Sequence, residues 1–431
     1  MTTRTSTTKT ARNAGLHRGA AAVALAAVLG GVITPVARAT PRAHATATAK
    51  VSATATVSAS VTARGRLLAV TPLDTVDRAE VVETLTGFGV DPATVRYGVT
   101  AYRLTYATIG PHGRPATATG LLVLPCGGPH RLDLVSDTHG TVSHRDDAPS
   151  GGAGRNRLTP YLHASAGRAV AAPDYLGLGG GPGRHPYVDT ASSVTASLDM
   201  LKAARTASHR LGRPLTRTVY VTGFSQGGQV AMALGRELSR GRDGFRLRAL
   251  APMAGPYDLL GSEFPGIADG RVAPRSAVFY LSYFLTAQNR IHPLYKDPAE
   301  VFRAPYAQAV EDLFDGTHNE SEVMAALPAT PGELLTPEWA ENVRAPRGAL
   351  RAVLKANDGV CDWAPTAPVR LYAGGADTDV PSANTRACAV GLARLGVRAE
   401  VVDQGPDVDH FGSAILSAPQ VVRWFDALGG R

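Results

Sequence analysis

The sequence predicts an α/β protein with a mostly parallel central sheet flanked by helices and an inserted helical cap. Three observations predict it. From Leu132 onward short apolar strands alternate with helical stretches, the pattern of crossover connections between parallel strands. A serine between two glycines stands where one such strand meets one such helix. Between Gly255 and Trp363 the alternation stops and the chain reads as successive helices.

Residues 1–39 have a basic start, an apolar run from Gly19 to about Val36 and small residues at Ala37 and Ala39, the three parts of a secretory signal. The expectation is a secreted, extracellular protein, with cleavage near residue 39 or after Ala45. The alternative is a membrane anchor left uncleaved, disfavoured because alanines, glycines and Pro35 leave the run weakly hydrophobic. Residues 40–65 are Thr/Ala-rich with almost no large side chains, and are expected to be a disordered leader.

Order is expected over 66–431. A helix is predicted around Val76 to Gly87. Val95 to Thr108 and Thr117 to Leu124 alternate like antiparallel strands, with Gly110, Gly113 and Pro115 turning between them. The parallel strands follow at Leu132 to Ser136, Ala169 to Ala172, Thr218 to Thr222, Leu247 to Met253, Val369 to Ala373 and Ala399 to Val402. Core helices are predicted at Ser192 to Leu211, Gly227 to Leu238, Ala383 to Leu395 and Ala418 to Leu428. The cap, at about 256–362, reads as helices at Ala277 to Arg290, Pro298 to Phe314, Glu320 to Leu327 and Pro337 to Val343. Asp297 and Asn319 start two of them, and Glu322 completes a capping box at the second. Such an insertion lies above the strand ends where ligands bind, so Phe279, Tyr280, Tyr283 and Phe284 are expected to bind substrate in an apolar acyl pocket; packing the cap onto the sheet is their other reading.

The formal charge of +8 includes Arg4, Lys9, Arg12, Arg18 and Arg38 of the expected signal, and removing these five leaves about +3. The excess is scattered as single arginines, which excludes a nucleic-acid partner. Of the three cysteines, Cys361 and Cys388 flank one predicted strand and are expected to pair, and Cys126 is expected to be a small buried residue.

Gly223-Phe224-Ser225-Gln226-Gly227 gives GxSxG between strand and helix, the turn that exposes a nucleophilic serine. A serine hydroxyl needs an imidazole base, and the imidazole needs a carboxylate to orient it and stabilise its charge. The turn after Val369 to Ala373 supplies Asp377, preferred to Asp379 because it comes first. The loop after the last strand supplies His410, the only later histidine. The chain order Ser225, Asp377, His410 is that of the α/β-hydrolases. For the oxyanion hole the amides of Gln226 and Thr141 are expected, with Gly140 the alternative to Thr141, and His139 is read as structural. No GxGxxG follows the first strand, no His/Glu cluster has metal spacing, and no thiol stands beside a base, so no cofactor and no metal is expected.

These residues resemble those of secretory lipases, a group of fungal enzymes with bacterial relatives. The resemblance runs from about Tyr97 to Ala427. It rests on HGT at His139 to Thr141, APDYLGLG at Ala172 to Gly179, HPY at His185 to Tyr187, GFSQGG at Gly223 to Gly228, and WAP at Trp363 to Pro365 before GGADTDVP. It implies an α/β-hydrolase fold with a cap, action on carboxylic esters, triglycerides among them, and the triad Ser225, Asp377 and His410. Asp174 and Tyr175 would belong to a loop near the site and are read as structural. The expected function is a secreted esterase or lipase acting through an acyl-enzyme on a small-molecule or lipid ester, with transient contact at a lipid interface. Two alternatives stand beside it. A serine aminopeptidase or small-peptide hydrolase would need a carboxylate for the substrate amine, for which Glu263, Asp269 and Glu311 are candidates, and a hydrolase-fold binding protein would have no turnover.

Overall fold

A computed structural model of the chain describes residues 64–430, Ala153 excepted. The expected signal at 1–39 and nearly all of the expected leader at 40–65 lie outside the described residues.

Nine strands form one sheet: β1 (Leu67–Val76), β2 (Val99–Ile109), β3 (Pro115–Pro125), β4 (Leu132–Thr138), β5 (Ala169–Pro173), β6 (Leu215–Phe224), β7 (Arg246–Met253), β8 (Arg370–Ala373) and β9 (Glu400–Asp403). They lie in the order β1-β2-β3-β5-β4-β6-β7-β8-β9. The pairs from β1 to β5 are antiparallel and those from β5 to β9 are parallel. Strand β1 was not expected, because only its end residues are buried and it lies at the sheet edge. The helix expected from Val76 is Arg78–Gly87, started by Asp77, whose carboxylate accepts the Glu80 amide at 2.9 Å.

Successive residues of a strand point to opposite faces. Val219 and Val221 of β6 join one core with Leu201, Leu234 and Leu392 from helices Thr190–Arg210, Gln226–Ser239 and Ala383–Arg394. Tyr220 joins the other with Leu85, Leu162 and Phe425 from helices Arg78–Gly87, Leu158–Ser165 and His410–Gly429. The chain between β7 and β8 forms helices with a core of their own, in which Phe279, Tyr283, Phe284, Phe302, Phe314 and Leu354 are buried.

The single helix expected from Pro298 to Phe314 is instead two short ones, Pro298–Val301 and Val310–Leu313. Pro305 explains the break: it has no N–H to donate and disfavours helical backbone at Ala304. Asp297 and Asn319 do start helices, each within a capping box. Cys361 and Cys388 form a disulfide with Cα atoms 5.4 Å apart. Cys126 is exposed, not buried, because it lies just past the end of β3 where the chain leaves the sheet.

Candidate active site

Ser225 follows β6 directly and precedes the helix Gln226–Ser239. Its backbone has φ +56° and ψ −125°, a strained conformation for a residue with a side chain. The flanking glycines follow from close approach. A Cβ on Gly223 would sit 2.1 Å from Thr138 Oγ1, and one on Gly227 1.9 Å from the Thr138 carbonyl oxygen. Thr138 fastens the turn from the neighbouring strand, its hydroxyl donating to the Gly227 carbonyl at 2.7 Å.

The carboxylate and imidazole come together from the ends of β8 and β9. His410 Nδ1 donates to Asp377 Oδ2 at 2.7 Å, with both side chains buried. The second oxygen of Asp377 accepts the amides of Asp379 at 3.0 Å and Val380 at 2.8 Å, so the carboxylate is held on both sides. Asp379 points elsewhere, accepting the Tyr280 hydroxyl at 3.4 Å. His410 was expected in a loop but is the first residue of the helix His410–Gly429. Asp409 caps that helix, its carboxylate accepting the Gly412 amide at 2.7 Å. Phe224, the residue before the serine, packs on the His410 ring with centroids 4.5 Å apart.

Two cavities meet at Ser225. The larger, about 620 Å³, is lined by Ser225, His410, Gly140, Asp379 and Phe279 among others. The smaller, about 40 Å³, is lined by Ser225, Gln226, Tyr187, Glu263 and Phe284 among others. Thr141, Ser225 and Tyr280 belong to both. Tyr283 lines neither; it is buried between Tyr187 and Phe314, stacked at centroid distances of 4.2 and 4.4 Å.

No protein-family model and no curated relative matches the sequence. Solved structures do. A Legionella pneumophila protein assigned to the hydrolases is 26% identical with a TM-score of 0.77, covering 84% of this chain and 98% of its own. The rice cell wall degrading esterase LipA of Xanthomonas oryzae is 27% identical with a TM-score of 0.74, covering 85% and 98%. Candida antarctica lipase A, at 13% identity, shares the fold with a TM-score of 0.64 over 85% and 83%. The chain has a lipase-like α/β-hydrolase fold.

In this hydrolase the residues expected to supply oxyanion donors lie near Ser225. Gln226 opens the helix after it, where unpaired amides point outward. Gly140 comes so close that a Cβ there would lie 3.3 Å from Ser225 Cβ, and Thr141 stands where the two cavities join. His185 was not assigned a role from the sequence, although HPY marked it. Its Nδ1 donates to the Leu176 carbonyl at 2.9 Å, which leaves Nε2 to accept from Gln226 Nε2 at 3.2 Å. Burial pushes His185 down to about 3, consistent with the neutral ring this bond requires. His139 is structural in its contacts: Nδ1 lies 2.7 Å from the Gly140 carbonyl, and the Tyr175 hydroxyl donates to the His139 carbonyl at 3.2 Å. Asp174 is buried, accepting the Thr119 hydroxyl at 2.6 Å and the Ser150 amide at 2.8 Å.

The three acidic cap residues differ sharply. Asp269 is paired with Arg271 at 2.9 Å on the surface, and Glu311 takes Arg290 at 3.0 Å and the Tyr295 hydroxyl at 2.6 Å. Glu263 is buried beside the small cavity, and desolvation pushes its carboxyl up to about 8. Asp137, at the end of β4, is a second buried carboxyl on the large cavity, raised to about 7 by the same cause.

Proposed function

We propose that the chain is an exported carboxylic ester hydrolase that works through an acyl-enzyme on Ser225. Ser225 Oγ attacks the ester carbonyl while His410 Nε2 takes its proton, and Asp377 stabilises the imidazolium that forms. The amides of Gln226 and of Thr141 or Gly140 receive the developing oxyanion. His410 then gives its proton to the leaving alcohol oxygen, and water repeats the sequence to release the acid.

The observation that carries this reading is the Asp377–His410 hydrogen bond of 2.7 Å on a cavity that also contains a serine at φ +56°. The 27% identical Xanthomonas neighbour, named an esterase, supports the ester as the bond cleaved. Export rests on the composition of residues 1–39.

The test is turnover of a nitrophenyl ester series of increasing acyl length by the protein and its Ser225→Ala variant. Loss of up to about a million-fold in kcat is expected for the variant. Retained activity in a pure, folded preparation would remove Ser225 from the mechanism. An aminoacyl nitroanilide turned over in place of every ester would move the reading to a peptidase.

A further inference from the structure

Two buried acids border cavities that touch the nucleophile, Asp137 on the large one and Glu263 on the small one, and Glu263 stands apart as the one carboxyl among the residues that line its chamber. It is the last residue of a π-helical turn, Leu259–Glu263, in which its amide reaches back five residues to the Asp258 carbonyl at 3.0 Å. The wide turn is held by Asp358, whose carboxylate accepts the amides of Leu259 and Leu260 at 3.0 and 3.1 Å. π-Helical turns of this kind occur at functional sites, where the extra residue redirects a side chain. The Glu263 side chain is more than nine-tenths buried. One oxygen, Oε2, accepts Asn384 Nδ2 at 2.7 Å, and the other has no hydrogen-bond partner among the described residues.

The chamber it borders is mostly apolar away from the Ser225 end, with Val188, Leu259, Phe264, Ile267, Phe284 and Val380 in its wall. Its volume of about 40 Å³ restricts it to a short group of a few non-hydrogen atoms. The charged groups acting on Glu263 are mainly negative. Asp377 and Asp379 both push its carboxyl up, and Arg271, the opposing cation, is already paired with Asp269. The remaining titratable neighbours, Tyr187 and Tyr280, are neutral phenols. Such a field favours a cation.

Which half of an ester enters the chamber follows from the proton transfer. The leaving oxygen must receive its proton from His410, and His410 lines the large cavity but not the small chamber. The alcohol therefore occupies the large cavity and the acyl group the small chamber.

We propose, on the basis of the serine-esterase reading, that the small chamber is an acyl subsite in which Glu263 selects short acyl groups ending in an ammonium. The carboxyl releases its proton to solvent as the cation enters, and selection follows because the attraction at low dielectric, added to the field of Asp377 and Asp379, outweighs the cost of taking the ammonium out of water.

Benzyl β-alaninate, benzyl butyrate and benzyl 3-hydroxypropionate have acyl tails of matching size and test the inference at pH 7 with the protein and its Glu263→Gln variant. The amide keeps an oxygen for Asn384 but cannot ionise. The kcat/KM of the β-alaninate is expected to exceed that of the butyrate by about tenfold or more, and the variant to lower that ratio by about the same factor. An equal ratio in both proteins, or the hydroxypropionate as best substrate, overturns the inference. Benzyl octanoate turned over while all three short esters fail overturns the assignment of the chamber to the acyl group. Failure of every ester overturns the esterase reading itself. Should the variant not fold, propylammonium and 1-propanol are compared as inhibitors of butyrate turnover by the unaltered protein; weaker inhibition by propylammonium then refutes the subsite.

Discussion

Asp377 and Asp379 stand two positions apart in one turn, yet only Asp377 reaches the imidazole, and Asp379 meets a tyrosine of the cap. Asp377→Asn is expected to lower kcat by about ten-thousand-fold, because an amide cannot hold the imidazole in its working tautomer. Asp379→Asn should stay within about tenfold, and comparable losses in steady-state kinetics would force the acid to be reassigned. Gly227→Ala would set a Cβ 1.9 Å from the Thr138 carbonyl oxygen, inside backbone that cannot move without opening the sheet. A cost of about 4 kcal/mol or more is expected in urea unfolding; a variant of normal stability would show that the turn relaxes. The sequence made these positions readable because each sits at the end of an apolar strand, in a turn whose glycines have no other use. Glu263 was readable only as one acid among three in the cap. Asp269 has its partner Arg271 two residues away, but the separation of Glu263 from Glu311 comes from a π-helical turn and from Arg290, distant in sequence, neither of which leaves a local pattern.

Among the elements, the disulfide closes a loop that contains β8 and the turn bearing Asp377. Replacing Cys361 and Cys388 together by Ala is expected to lower stability by about 3 kcal/mol in denaturant melts, from the loop-closure entropy returned to the unfolded chain. A change below about 1 kcal/mol would mean that the unfolded chain keeps this loop compact. The central strands were legible because burial on both faces makes them continuous apolar runs. Strand β1 was not, since an edge strand with mostly exposed residues has no such run. The cap was legible as helical but not in its divisions: Pro305 splits one expected helix, and the helix Gly348–Asn357 escaped notice. The last helix begins at His410, ahead of the expected Ala418, because Asp409 caps it directly after the loop that follows β9.

For the whole molecule, buried titratable groups set the dependence of stability on pH. Asp137 and Glu263 have folded values raised to about 7 and about 8, so they stabilise the fold in acid and that contribution is lost as pH rises from about 4 to 8. His163 and His185 are lowered to about 3, so their contribution is complete above about 6.5 and is lost as pH falls toward 3. The two trends oppose each other between about 4 and 6.5, and only the carboxyls act above that range. Thermal melts should therefore show a plateau in the mildly acidic range and a decline from about pH 6.5 to 8. Asp137→Asn should flatten that decline; an unchanged slope would show that water reaches the carboxyl. The topology has a further consequence. The cap leaves the sheet at the C-terminal end of β7, and the chain returns at the N-terminal end of the adjacent, parallel β8, so the whole insertion belongs to a single crossover connection. An insertion attached in this way is an exchangeable cassette: a cap of different length or shape can be grafted between the same two strands, carrying a new selectivity to a serine, an aspartate and a histidine that all lie outside the graft.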